Sequence, residues 1–280
     1  MLARSFLFLP GIGPVREARL WKKGVDSWTS YRELPRVQGI RPRVKAQHDE
    51  ILAVAESCLG REPQFFARLL PQPEHWRCFE AFGHDVAYVD IETTGDRDNL
   101  VTVVGVRRGG KDRAFVRRVR SGDAEEVAAA GGEPYTPEAV GRALAGASCV
   151  VTFNGASFDL PVLANEGVPL PAAPHVDLRV VCARVGLTGG LKKIEETLGF
   201  GRTGHLAGLS GWDAVKLWRR WADRGDADAL GTLVAYNVAD FANLEPLARL
   251  AVDRLSAQTL AGARQTRLSA DAPPATAAGP

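Results

Sequence analysis

Four carboxylates and one phenol stand in three short segments between residues 90 and 240. Asp90 and Glu92 lie in Val89-Asp90-Ile91-Glu92-Thr93-Thr94-Gly95. Asp159 closes Phe153-Asn154-Gly155-Ala156-Ser157-Phe158-Asp159. Tyr236 and Asp240 lie in Tyr236-Asn237-Val238-Ala239-Asp240. Carboxylates set among apolar residues are costly unless a cation gathers them. Their hard oxygens suit Mg²⁺ or Mn²⁺. Four that converge would form a two-metal site, an arrangement suited to cutting phosphodiester bonds.

The elements that must position these groups can be read locally. Val86-Ala87-Tyr88-Val89 is apolar with a β-branched and aromatic bias, which predicts a buried strand. Asp90 and Glu92 follow at its end, and period two puts both on one face. Thr93, Thr94 and Gly95 then break the strand. The run Cys149 to Phe153 predicts a second strand that stops at Asn154-Gly155. Asp159 falls in the first turn of a helix, with Ser157 as its cap. Tyr236 and Asp240 are four apart among Leu230, Leu233, Val234, Phe241 and Leu244, which predicts a helix that carries both on one face.

Taken singly, each piece also has an ordinary structural reading: a solvated strand end, an acid favoured by a helix dipole, a common helical spacing. Their order is more specific. Strand-end Asp-x-Glu, then a strand with Asn and Phe-Asp, then a helical Tyr-x-x-x-Asp resembles the DEDD exonuclease superfamily on a ribonuclease H-like fold. One branch of that superfamily carries a tyrosine four residues before the last Asp, where this chain has Tyr236. The other carries a histidine five before it, where this chain has Ala235. His175-Val176-Asp177-Leu178, Gly189-Gly190-Leu191-Lys192-Lys193-Ile194-Glu195 and Tyr236-Asn237-x-x-Asp240 are similar to the YprB-like group of predicted 3′–5′ exonucleases. The resemblance covers residues 83 to about 250.

It implies an α/β fold, a ribonuclease H-like mixed sheet with flanking helices, and metal-dependent 3′–5′ exonuclease activity on single-stranded DNA or RNA ends. It also implies that Asp90, Glu92, Asp159 and Asp240 hold two divalent cations, Mg²⁺ or Mn²⁺, with Asp90 bridging them. Tyr236 would orient the attacking water, because a phenol with a pKa near ~10 is a poor base at neutral pH. Thr93 and Asn154 are placed to contact the terminal nucleotide and Phe158 to pack beneath it; the alternative for all three is an ordinary turn or core role. Lys192, behind Gly189-Gly190 at a helix start, either grips a backbone phosphate or caps a solvated helix end. Asp177 is either a further site carboxylate or a structural cap. Two other classes stay open on the same fold: a structure-selective endonuclease or ribonuclease, and a non-catalytic nucleic-acid-binding scaffold.

Composition bounds these readings. The 280 residues are 45 % hydrophobic and 24 % charged, as expected for a soluble globular protein of one large or two modest domains. Net charge is only +2, but residues 1 to 48 hold ten Lys or Arg against three acids. That segment is net +7 and the remainder net −5. A basic segment beside an acidic one suggests a polyanion held by one part and cut by the other; a solvated charged face is the plainer alternative. The four cysteines show no Cys-x-x-Cys spacing, so neither a zinc site nor a disulfide framework is expected. His48, His75, His84, His175 and His205 form no ligand pair. Phe6 to Leu9 is too short for a secretory segment, and no apolar run reaches the length of a membrane span. A cytoplasmic location and no membrane partner are the expectation.

Residues 1–72 are expected to form a small all-α domain. Gly11-Ile12-Gly13-Pro14 leads into a helix with Val15, Ala18, Arg19, Trp21 and Lys22 as its repeating face. Gly24 ends it, and Asp26-Ser27-Trp28 starts another. This resembles a helix-hairpin-helix, in which Gly11 and Gly13 would present backbone N–H groups to a phosphate. Glu17 departs from the small residue usual there, and a tight turn between structural helices is the alternative. Residues 45 to 70 read as helical, with Ile51, Leu52, Val54, Ala55 and Leu59 on the apolar side. Residues 73–82 form a connector, with Trp76 and Phe79 packing onto the next domain. Residues 83–255 would be the ribonuclease H-like domain, including a hairpin around Gly109-Gly110, a helix capped by Thr136, and a capping box at Ser210–Asp213 before a helix with Trp212, Val215, Trp218 and Ala222 on its apolar face. Residues 256–280 read as a tail, disordered from 269.

Overall fold

A computed structural model describes residues 1–200, 206 and 208–271 of the chain, with 263–271 as backbone alone. The centre is a six-stranded mixed sheet in the order β4-β3-β2-β1-β5-β6. Its strands are β1 (Val86–Thr93), β2 (Val101–Arg108), β3 (Lys111–Val116), β4 (Glu133–Pro134), β5 (Cys149–Thr152) and β6 (His175–Asp177). The first three form an antiparallel meander, and β5 and β6 add in parallel beyond β1. Gly109 and Gly110, both at positive φ, make the tight β2–β3 turn that the sequence predicts.

Alternation along β1 decides which side each residue serves. Ala87, Val89 and Ile91 join a core with Val140, Leu144 and Leu163. These come from α7 (Pro137–Leu144) and α8 (Asp159–Asn165), which follow the short α6 (Ala124–Ala129). Tyr88 points the other way, into a core with Phe241 and Leu244. Asp90 and Glu92 continue that second series. β1 runs through Thr93, so both acids lie within the strand and not beyond its end. The register slips between Glu92 and Thr93, a bulge at the rim where the strand leaves the sheet.

The second face is covered by α12 (Ala227–Asp271), whose first turn is held by the Asp226 carboxylate accepting from Ala229 N–H at 3.0 Å. Close approach of this helix depends on Gly105 of β2. A Cβ there would lie 2.1 Å from Phe241 and 2.3 Å from Asn237. Gly105 is also the direct cross-strand partner of Asp90, so the missing side chain lets α12 settle over the acid. The helix continues through residue 255 to Asp271. Residues 272–280 lie outside the described part, as does His205.

Residues 1–82 hold only helices among the described residues: α1 (Pro14–Lys22), α2 (Trp28–Arg32), α3 (Pro42–Cys58), α4 (Pro63–Leu69), α5 (Phe79–Phe82) and two 3₁₀ turns, Leu2–Arg4 and Gln72–Cys78. They enclose their own core, with Phe6, Trp28, Tyr31, Leu52 and Phe66. Ser27 caps α2 through a reciprocal capping box with Ser30. Two expected faces differ. On α1 the buried residues are Glu17, Leu20 and Trp21, while Val15 is 67 % exposed. Glu17 turns inward because Arg77 meets it at 3.0 Å and the Phe6 amide and Ser5 hydroxyl donate to it. Burial still raises its pKa, against the pull of Arg77. On α3, Leu52 and Ala55 are buried but Val54 is exposed. The connector is shared between cores: Trp76 and Phe79 pack with β1 and α12, as expected, whereas Cys78 and Phe82 belong to the N-terminal core.

Candidate metal and nucleic-acid site

The three predicted segments meet at one open cleft of about 510 Å³. Asp90, Glu92, Thr93, Asn154, Phe158, Asp159, Lys192, Tyr236 and Asp240 all line it. Asp90, Glu92 and Asp240 each offer one carboxylate oxygen, and the three lie within 4.8 Å of one another. Glu92 and Asp240 are buried and Asp90 is half-buried. Asp159 shares the cleft but not this close trio.

Each acid is fixed by a different device. β1 supplies Asp90 and Glu92 by period two, and α12 supplies Tyr236 and Asp240 one turn apart. Asn237, between those two and fully buried, donates its Nδ2 to Asp90 Oδ2 at 2.9 Å. The Tyr236-Asn237-x-x-Asp240 run names this residue, but its type and spacing do not say what it bonds. Its amide sets the orientation of one acid from the helix that carries the other.

Asp159 opens α8, and the residue at the cap position is Phe158, not Ser157. The Ser157 hydroxyl instead donates to the Asn154 side-chain oxygen at 3.0 Å. Asp159 is 4 % exposed. Burial raises its pKa to about 7, with the nearby Asp177 charge adding to the rise and the backbone amides of Asp159 and Ile91 opposing it. A carboxyl that resists ionisation in this way is one that a cation would favour in its charged form.

The loop before Asp159 is held from below. Asp177 accepts from the N–H groups of Asn154 and Ala156, at 2.8 and 3.1 Å, and caps α9 (Leu178–Arg184) through Arg179 N–H. It is therefore the structural cap of the two alternatives, and it does not line the cleft. Asn154 sits at φ +70°, and Arg179 donates to its side chain at 2.7 Å. Two histidines distant in sequence also meet behind this loop. His75 Nδ1 accepts from the His175 amide at 3.0 Å, and the His175 ring pairs with Thr152 Oγ1 at 2.8 Å. Burial lowers the pKa of both rings. The four cysteines are free and buried.

The opposite wall comes from α10 (Leu191–Leu198) and α11 (Gly211–Arg224). Lys192 lies 4.6 Å from the Tyr236 ring centroid and donates to the Leu209 carbonyl. Ser210 and Asp213 form the expected capping box. Val215 and Trp218 of α11 are buried, but Trp212 is 54 % exposed with Arg219 over its ring. It stands one residue beyond the cleft-lining Ser210 and Gly211, so helical spacing misassigns it to the core. Thr93 is buried and donates to Asn99 at 2.7 Å; Phe158 is 37 % exposed.

Gly11 and Gly13 are not part of the cleft. Gly11 needs its positive φ of 74°, while Gly13 sits at the N-cap of α1 with open space where a Cβ would stand. No described helix is long and apolar enough to cross a membrane. A family model described as the RNase H superfamily matches residues 87–252, which contain all four acids and the tyrosine. No curated protein shows significant similarity to the chain.

Proposed function

Since the chain belongs to the RNase H superfamily, which points to a nuclease, we propose that it is a metal-dependent 3′–5′ exonuclease acting on single-stranded ends of DNA or RNA. The observation that carries this reading is the convergence of Asp90, Glu92 and Asp240 to within 4.8 Å in a cleft that Asp159 and Tyr236 also line. The donors are carboxylate oxygens alone, which fits Mg²⁺ or Mn²⁺. Asp90, Glu92, Asp159 and Asp240 would hold two such ions, and bound ions would neutralise the scissile phosphate and favour ionisation of water.

The protein's own groups do the rest. Asn237 keeps the Asp90 carboxylate turned into the cleft. Tyr236 positions the attacking water by its hydroxyl, a placement role that needs no loss of its proton. Asn154 and Thr93 orient the terminal nucleotide, and Phe158 covers its apolar side. Lys192 offers positive charge to the departing strand. Exposed Trp212 at the rim provides a face on which a base can stack. Gly11 and Gly13 supply backbone N–H groups to a more distant phosphate.

An end-labelled substrate tests this reading: mononucleotides should be released from the 3′ end in Mg²⁺ or Mn²⁺. Internal cuts alone, with every substrate, would favour an endonuclease. Absence of cleavage with retained binding would favour a scaffold.

A further inference from the structure

We propose, with the nuclease reading as premise, that a second surface on the N-terminal helices seats the phosphate backbone of the same strand. This surface is a groove of about 700 Å³ between α1 and residues 34–39, and it shares no residue with the acidic cleft. Buried Leu20, Val25 and Val37 contribute its apolar floor. Arg16, Arg19, Lys23 and Arg36 line it, and no acid does.

The charge of these four residues is uncompensated locally. Three other cations of the segment are matched to carboxylates, Arg4 to Asp26, Arg32 to Glu56 and Lys45 to Asp49, whereas Lys22, Arg41 and Arg43 lie outside the groove and add to the local positive excess. Among the described residues, none of the four groove cations makes an ion pair. The bonds that Arg16 and Lys23 make are to neutral oxygens, the Gly11 carbonyl and the Gln38 side chain, each at 2.6 Å. Cations packed at this density without acids repel one another, and a polyanion relieves that repulsion.

Spacing favours a nucleic-acid strand as the occupant. Arg16 and Arg19 of α1 and Lys23 at its C-cap follow one another at helical spacing and span about 10 Å along the axis. That length meets about two or three successive phosphates of a strand, which carries one charge per nucleotide. Arg36 faces them from the other wall. A single strand offers a regular row of charges together with flat apolar bases, and the groove offers cations above an apolar floor. The bond from Arg16 to Gly11 ties the groove to the glycine turn that begins α1.

The test is anisotropy of a fluorescein-labelled oligothymidylate with the full-length protein in EDTA, across a salt series. Arg19→Glu/Lys23→Glu/Arg36→Glu is compared with the neutral Arg19→Gln/Lys23→Gln/Arg36→Gln set, which decides the matter if charge reversal unfolds the protein. Arg16 is left intact because of its bond to Gly11. The expected result is a Kd raised by about tenfold or more, and a salt slope reduced by ~2, at ~0.7 for each phosphate that is no longer neutralised. A folded neutral variant with the wild-type Kd and slope overturns the proposal. Poly-L-glutamate that binds as tightly, and loses binding in the same variants, overturns it in favour of an acidic protein partner. Cleavage by the wild type is scored separately. Groove-dependent binding without cleavage sinks the nuclease reading and leaves the groove, while cleavage with unchanged binding in the variants sinks the groove alone.

Discussion

Asp159→Asn should stabilise the protein when divalent metal is removed, and destabilise it relative to wild type when metal is present. Asp159 is 4 % exposed and its pKa is pushed up to about 7, first by burial. The unfolded chain holds the same group at the ordinary 3.8. Because the folded value is the higher one, its contribution to stability is fully present below pH 4 and is lost as pH rises through 7. The separation corresponds to about 4 kcal/mol at pH 8, and water in the open cleft brings the expected cost to about 2–4 kcal/mol. Asparagine has the same shape and no charge, so it escapes this cost at every pH. At about 2–4 °C per kcal/mol for a domain of this size, the variant should melt several degrees above wild type at pH 8 in EDTA. The gap should close as pH falls from 7 to 4. Mg²⁺ at about 1,000 times its Kd should then reverse the order, since it adds about 4.1 kcal/mol only where the site is intact. Thermal melts followed by circular dichroism, over pH 4 to 8 with and without Mg²⁺, measure all of this. A variant that melts below wild type in EDTA at pH 8, or a gap that ignores pH, would refute the claim that Asp159 is a strained acid awaiting a cation.

Removing the Asn237 amide in Asn237→Leu should lower kcat by about tenfold to a hundredfold, the usual cost of losing support to a ligand; an unchanged kcat in folded protein contradicts its role on Asp90. Tyr236→Phe should slow turnover less than Asp90→Ala does, because only a positioning hydroxyl is removed, and equal rates with wild type would make Tyr236 purely structural. Trp212→Ala should raise KM for a single strand by about tenfold, from a stacking interaction of about 1–3 kcal/mol, with kcat little changed; an unmoved KM removes Trp212 from the binding surface. Gly105→Ala drives a methyl group to 2.1 Å from Phe241, so it should destabilise by about 1–3 kcal/mol or more in a melt, and wild-type stability would mean that α12 has slack over the sheet.

Elements with strong local signals are legible in the sequence. β1, the Gly109-Gly110 hairpin, the Thr136 cap and the Ser210–Asp213 box each rest on adjacent residues. The site is legible because its acids reside in such elements: period two fixes Asp90 and Glu92 on one face, and a four-residue step aligns Tyr236 with Asp240. What escapes depends on contacts between distant segments. Asn237 acts only because Gly105 lets α12 lie on β1. His75 meets His175 across one hundred positions. Trp212 fits a helical apolar stripe by spacing, yet it is 54 % exposed, with Arg219 over its ring. Glu17 reads only as a departure from the small residue of a helix-hairpin-helix, but it is buried against Arg77 from the connector at 3.0 Å. Periodicity reports which residues share a face, but not which face finds a partner.

The central claim is that these acids form a metal-dependent site for trimming nucleic-acid ends. Its most direct measurement is a time course on a 5′-labelled single-stranded oligonucleotide, as DNA and as RNA, with Mg²⁺, Mn²⁺ or EDTA. Wild type should shorten one or both substrates stepwise from the 3′ end with metal and not in EDTA. Asp90→Ala and Asp240→Ala, folded by circular dichroism, should leave them intact. Full-length substrate under every metal with folded wild type, or shortening that persists in EDTA and in both variants, would contradict the account.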